Sequence, residues 1–170
     1  MHKIKKVEAV PLHQQIKTIR IMSTRSSIII KVKKEDLGTT KEFDSSKLDC
    51  LMDKWNDDGE ELCKPVKIKH NYAGIYCHFD GYPEGVGAAL KKNFSDYDKL
   101  LNLIVGGDCS YIEIDAVKRY GNRAGEKWDY LQPAQGDTAE SVIDAIDNEY
   151  AYVFEDGKWT CTNYGEKVEF

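Results

Sequence analysis

VKIKHNYAGIYCHFD, residues 66–80, holds two runs of β-branched and aromatic side chains, VKIKH and GIYCHFD, on either side of a short turn at 71–74. Such a pattern after Pro65 predicts an antiparallel hairpin. In the second run, strict alternation sends Ile75, Cys77 and Phe79 to one face and Tyr76, His78 and Asp80 to the other. The first set is expected in the core and the second on an open face.

Downstream, Gly81-Tyr82-Pro83 forms a turn signal and GVGAALKKNF reads as helical. A second helix is expected at once, opened by Ser95 to Asp98, carried by Leu100, Leu101, Leu103 and Ile104, and stopped at Gly106-Gly107. CSYIEIDAV at 109–117 alternates and reads as one strand. Periodicity is then lost from Lys118 to Gly136, as in a long loop. Asp137 to Glu140 resembles a capping box for a helix through Val142, Ile143 and Ile146. YAYVFED and KWTCTNY flank Asp156-Gly157, a strong hairpin signal.

Upstream, SSIIIKVKK at 26–34 is β-branched at period two and predicts a strand with one strongly apolar face. Leu48, Leu51, Met52 and Trp55 follow a Ser46 to Asp49 cap at helical spacing, so a helix is expected there. The order β, α, β, β, α, α, β, α, β, β contains two hairpins between neighbouring strands. It points to an α+β fold: one domain over residues 22–170, a mostly antiparallel sheet with about four helices packed on it. Residues 1–21 are basic and lack either periodicity, so they read as a flexible leader.

The 170 residues are 41% hydrophobic, enough for one sizeable core, and carry a net charge of −5. An acidic balance of that kind lacks the concentrated positive footprint that duplex nucleic acid requires. Five widely spaced cysteines, Cys50, Cys63, Cys77, Cys109 and Cys161, include no CxxC pair. They suit reduced thiols in a cytoplasm better than a disulfide framework or a zinc site, so no metal or cofactor is expected. No run of about 18 apolar residues suggests a membrane span.

GIYCHFDGYPEGVGAAL is the segment that departs from plain scaffold. Here Tyr76, His78 and Asp80 lead through Gly81 and Tyr82 to Gly85 and Gly87 at a helix start. A strand entering a helix through glycines can present backbone N–H groups and the positive end of the helix dipole to a phosphate or carboxylate. The spacing matches neither a Walker A loop nor GxGxxG. Arg25, Arg119 and Arg123 are the cations available to complete an anion site. The same residues also suit a plain turn over a core edge, with His78 and Asp80 solvated. In a third reading, His78 is a general base oriented by Asp80, with no serine or cysteine marked as nucleophile.

MSTRSSIIIKV at 22–32, GIYCHFDGYPEGVGAALKKNFSDYDKLLNLIVGGDCS at 74–110 and YVFEDGKW at 152–159 together resemble a family of small uncharacterised proteins of bacteriophages, prophages and some bacterial genomes. That family's pattern has an N-terminal STRS, a Y-C-H-W-D-G-Y-P core, a leucine-rich helix ending in GD and a closing strand after a DG turn. His78, Asp80, Gly81 and Tyr82 match the core contiguously, with Phe79 in place of the usual Trp. Residues 1–21 precede the family's usual start, and Lys34 to Lys69 reads as an insertion.

The resemblance implies a phage or mobile-element setting without a mechanism. The expected function is therefore an accessory protein, non-enzymatic, binding a small anionic ligand, nucleotide-derived compounds included, or a host protein, with self-association left open. The alternatives are a hydrolase or transferase using His78 and Asp80, and an inhibitor that acts purely by protein contact.

Overall fold

Three consecutive isoleucines, Ile28, Ile29 and Ile30, have no accessible surface at all. A strand can bury adjacent residues that way only when both its faces are covered. The structure, a computed structural model, describes residues 24–48, 51–53, 63–119 and 132–170. In it strand β1 (Ser26–Lys31) is central, antiparallel to β5 (Tyr72–Cys77) and parallel to β9 (Tyr150–Glu155).

Eight strands run in the order β11-β10-β9-β1-β5-β6-β7-β3, where β3 is Leu51–Asp53, β6 Cys109–Ile112, β7 Ala116–Arg119, β10 Lys158–Asn163 and β11 Glu166–Val168. A ninth, β8 (Ala134–Gly136), pairs with the first half of β5, and β6 meets β5 only at Cys77 and Cys109. The sheet is mixed. Pairs β1–β9, β3–β7 and β5–β6 are parallel and the other five are antiparallel.

Helices α1 (Ala88–Asn93) and α2 (Tyr97–Val105) cover the face that carries Ile28, Ile30, Ile75, Cys77, Tyr152 and Phe154. Helix α3 (Ala139–Ile146) covers the other, where Val142 reaches Ile29 above Gly74. A Cβ on Gly74 would lie 2.8 Å from side-chain carbons of both residues, so the missing side chain sets the helix's distance from the sheet.

The α+β class and the dominant sheet match the sequence reading. The helix count does not: three α-helices are present among the described residues. Residues 51–53 form β3, which finds the open edge of β7, instead of extending a helix through Leu48 and Met52. The Ser46 signal serves a single 3-10 turn, Ser45–Lys47, capped by Asp44. Trp55 lies outside the described residues.

The expected 66–80 hairpin is also absent. Val66 and Lys67 form β4, which pairs with β2 (Thr40–Lys41) in a small separate sheet, while β5 pairs with β1. The isoleucine run of β1 offers β5 far more apolar surface than VKIKH, where lysines alternate with Val66 and Ile68.

The single strand expected at 109–117 is two, β6 and β7, turned at exposed Glu113, Ile114 and Asp115. The helix α3 cap is one residue later than read, with Thr138 and Ser141 bonding reciprocally. The β9–β10 hairpin forms at Asp156-Gly157 as expected. A second turn at Tyr164-Gly165, with φ of 47° and 83°, adds β11. No helix among the described residues is long and apolar enough to cross a membrane. The leader, residues 1–21, lies outside the described residues.

Candidate functional site

Strand β5 ends at Cys77, and the chain stays beside β6 for two more residues. The His78 N–H donates to the Cys109 carbonyl (3.0 Å) and the Phe79 N–H to the Ser110 carbonyl (2.9 Å). Asp80 then adopts the left-handed conformation, φ 56°, and reverses the course. Alternation therefore stops one step early. Ile75 and Cys77 are fully buried as expected, but Phe79 is 39% exposed, and its place in the core is corrected. Tyr76 and His78 are half-buried and share a hydrogen bond between the tyrosine hydroxyl and Nδ1. The Phe79 ring meets the His78 ring edge-on at 4.4 Å.

Asp80 is half-buried and its Oδ1 is enclosed without a hydrogen-bond partner. Burial pushes this carboxyl above the ordinary aspartate value. Such a group keeps a proton to higher pH than a solvated aspartate, which is the property an acid–base residue needs.

The glycines have packing reasons. A Cβ on Gly81 would fall 2.8 Å from the Arg25 carbonyl carbon, and one on Gly85 would fall 2.3 Å from the Asp80 carbonyl oxygen. On Gly87 it would press on Phe170 and Tyr152 at 3.0 and 3.2 Å. The N–H groups at this helix start are also engaged. Gly85 and Gly87 donate to the Tyr82 carbonyl and Val86 to that of Asp80, closing the π-helical turn Pro83–Gly87.

Tyr82 packs against the core, and burial raises its phenol above the ordinary tyrosine value. Among the arginines, Arg25 is exposed and its backbone adjoins Gly81. Arg119 closes β7, and Arg123 lies outside the described residues. The structure thus gathers Tyr76, His78, Asp80, Gly81, Tyr82, Gly85, Gly87 and the Arg25 backbone at the end of the sheet where β1 begins.

A cleft of about 440 Å³ opens at the opposite end, where parallel strands β1 and β9 both finish. Its lining runs from Lys31 to Lys34 on one side, through Ser95, Asp96 and Tyr97, to Phe154, Asp156 and Gly157. Lys31 pairs with Glu155 at 2.8 Å. The Lys33 ammonium lies 4.2 Å from the centre of the Tyr97 ring, and the Lys33 N–H donates to the Tyr97 hydroxyl at 2.9 Å. That hydroxyl in turn donates to Asp36 at 2.7 Å, and Asp36 is neutralised by Lys41 at 2.8 Å. Lys33 and Lys34 have no carboxylate at ion-pair distance among the described residues.

The lysine cleft has almost no signature in the sequence. Its only local trace is the KVKK that ends the first strand, and the partners that make it a cleft lie 60 or more residues away.

Among the described residues no three His, Cys, Asp or Glu side chains come together as a metal site. Cys63, Cys77, Cys109 and Cys161 form no disulfide. Burial raises the Cys77 thiol well above its ordinary value and that of Cys161 to about 11, so both stay protonated near neutral pH. Compared with protein-family models, with curated proteins and with solved structures, the chain matches none.

Proposed function

We propose that this protein is a non-enzymatic binder of a small anionic ligand, held in the Lys31–Lys34 cleft. The observation that carries the reading is the pair Lys33 and Lys34, two exposed lysines without carboxylate partners among the described residues, which line a cavity of small-molecule size. Charge-assisted hydrogen bonds to an anion are stronger than neutral ones, and Tyr97 already holds Lys33 in place from below. The cleft also lies outside the carboxyl ends of two parallel strands, the position that open α/β sheets use for ligands, which is support by analogy.

The resemblance to phage and prophage proteins supports an accessory role in a host cytoplasm. The His78–Asp80 enzyme and the protein-contact inhibitor are the competing readings, and one experiment separates all three. Thermal unfolding is followed with inorganic phosphate, nucleotides and cyclic dinucleotides, for the wild type and for a variant carrying Lys33→Ala and Lys34→Ala. A ligand at about 100 times its Kd should add roughly 2.7 kcal/mol to the wild type. That gain should vanish in the double variant, and mass spectrometry should return the ligand intact. Equal stabilisation of both proteins, or recovery of a converted product, would overturn the proposal. So would the absence of any stabilisation, which favours the inhibitor.

A further inference from the structure

We infer that the ligand is a phosphate monoester on an apolar, aromatic body and not a polyphosphate; this rests on the anion-binding reading of the cleft and narrows it. Charge balance carries the first half. Of the three lining lysines, Lys31 is already matched by Glu155, which leaves the Lys33 and Lys34 ammoniums to meet the ligand. A phosphate monoester carries a charge of about −1.5 to −2 near neutral pH, which two ammonium groups balance. A triphosphate brings more negative charge than those groups can match. Asp96, which accepts the Lys99 N–H at the start of α2, and Asp156, whose charge acts on Lys31, also line the cleft and repel any further negative charge.

The second half comes from what else lines the cavity. Of the apolar and aromatic residues that line it, Val32 and Phe154 are buried, and the half-buried Tyr97 ring is the surface that a free inorganic ion would leave uncovered. The Tyr97 ring is fixed by its hydroxyl bonds to Asp36 and Lys33, so it offers a preorganised wall and does not have to be ordered on binding. A flat apolar body attached to the phosphate covers this ring while its charged end stays at the lysines.

Calorimetric titration of the full chain at low salt tests this with four probes: phenyl phosphate, inorganic phosphate, benzoate and ATP. Phenyl phosphate should bind at least tenfold more tightly than each of the other three, and the preference should disappear when Lys33→Ala and Lys34→Ala are combined. Both lysines are exposed, so the variant should keep the wild-type circular dichroism spectrum. If ATP, benzoate or inorganic phosphate binds as well as phenyl phosphate, and the lysine variant loses that binding, the ligand class is wrong while the anion-binding cleft stands. If none of the four binds, or the double variant binds them undiminished, both the class and the cleft fall.

Discussion

The Tyr152 hydroxyl donates a 2.7 Å hydrogen bond to the Gly81 carbonyl, tying strand β9 to the turn that follows β5. Tyr152 has no accessible surface, and its ring lies near-parallel to Tyr150 and edge-on to Phe170. Removing the hydroxyl would leave the Gly81 carbonyl without this donor in a place water does not reach. Tyr152→Phe should therefore cost about 1–3 kcal/mol, the penalty for an unsatisfied buried group. In urea the unfolding midpoint should fall while the slope is unchanged. A midpoint equal to that of the wild type would mean the bond does not hold the turn.

Two glycines should respond differently to the same added methyl group. At Gly85 a Cβ would sit 2.3 Å from the Asp80 carbonyl oxygen, a contact that only a backbone shift can relieve. Gly157 has nothing within 4 Å but holds φ at 76° in the β9–β10 turn. Gly85→Ala should thus cost about 3 kcal/mol, at the upper end for overpacking. Gly157→Ala should cost about 1 kcal/mol for the left-handed backbone alone. Chemical denaturation of both variants checks the order, and a reversed order would contradict the close approach at Gly85.

Phe79 marks where local reading ran out. Period two correctly buries Ile75 and Cys77, and would bury Phe79 too if the strand continued. The strand does not, because Asp80 turns left-handed and Gly81 docks against Thr24 and Arg25, contacts more than 50 residues away in sequence. Elements whose signals are local were legible: the isoleucine strand β1, helix α2 with its stop at Gly106, and the Asp156-Gly157 hairpin. Partner choice was not legible. Whether Tyr72–Cys77 pairs with Val66–Lys67 or with Ser26–Lys31 depends on which distant strand buries more surface. The lysine cleft was hidden for the same reason, since Lys33, Tyr97 and Phe154 meet only after the sheet has formed. Phe79→Ala should accordingly cost less than about 1 kcal/mol, whereas Ile75→Ala should cost roughly 3–4 kcal/mol. Comparable losses in the two variants would restore Phe79 to the core.

Asp36 and Asp80 should give stability opposite dependences on pH. Burial works against the Asp36 charge, but the Lys41 ammonium and the Tyr97 hydroxyl outweigh it and hold the carboxyl below the ordinary aspartate value. A depressed value in the folded state means that Asp36 stabilises the protein above the ordinary value, and that this contribution is lost as pH falls through the folded one. At Asp80, burial alone acts and raises the carboxyl. The folded state then prefers the proton, so this contribution is present below the ordinary value and is lost as pH rises through the raised one. Asparagine tolerates a left-handed backbone, so Asp80→Asn leaves the turn at φ 56° undisturbed. Calorimetry between about pH 3 and pH 7, bracketing the ordinary aspartate value, reads both signs. Relative to wild type, Asp36→Asn should lower Tm near neutral pH and have less effect in acid. Asp80→Asn should raise Tm near neutral pH and lose that advantage in acid. Two difference curves sloping the same way would show that one of these carboxylates sits in a different environment from the one described.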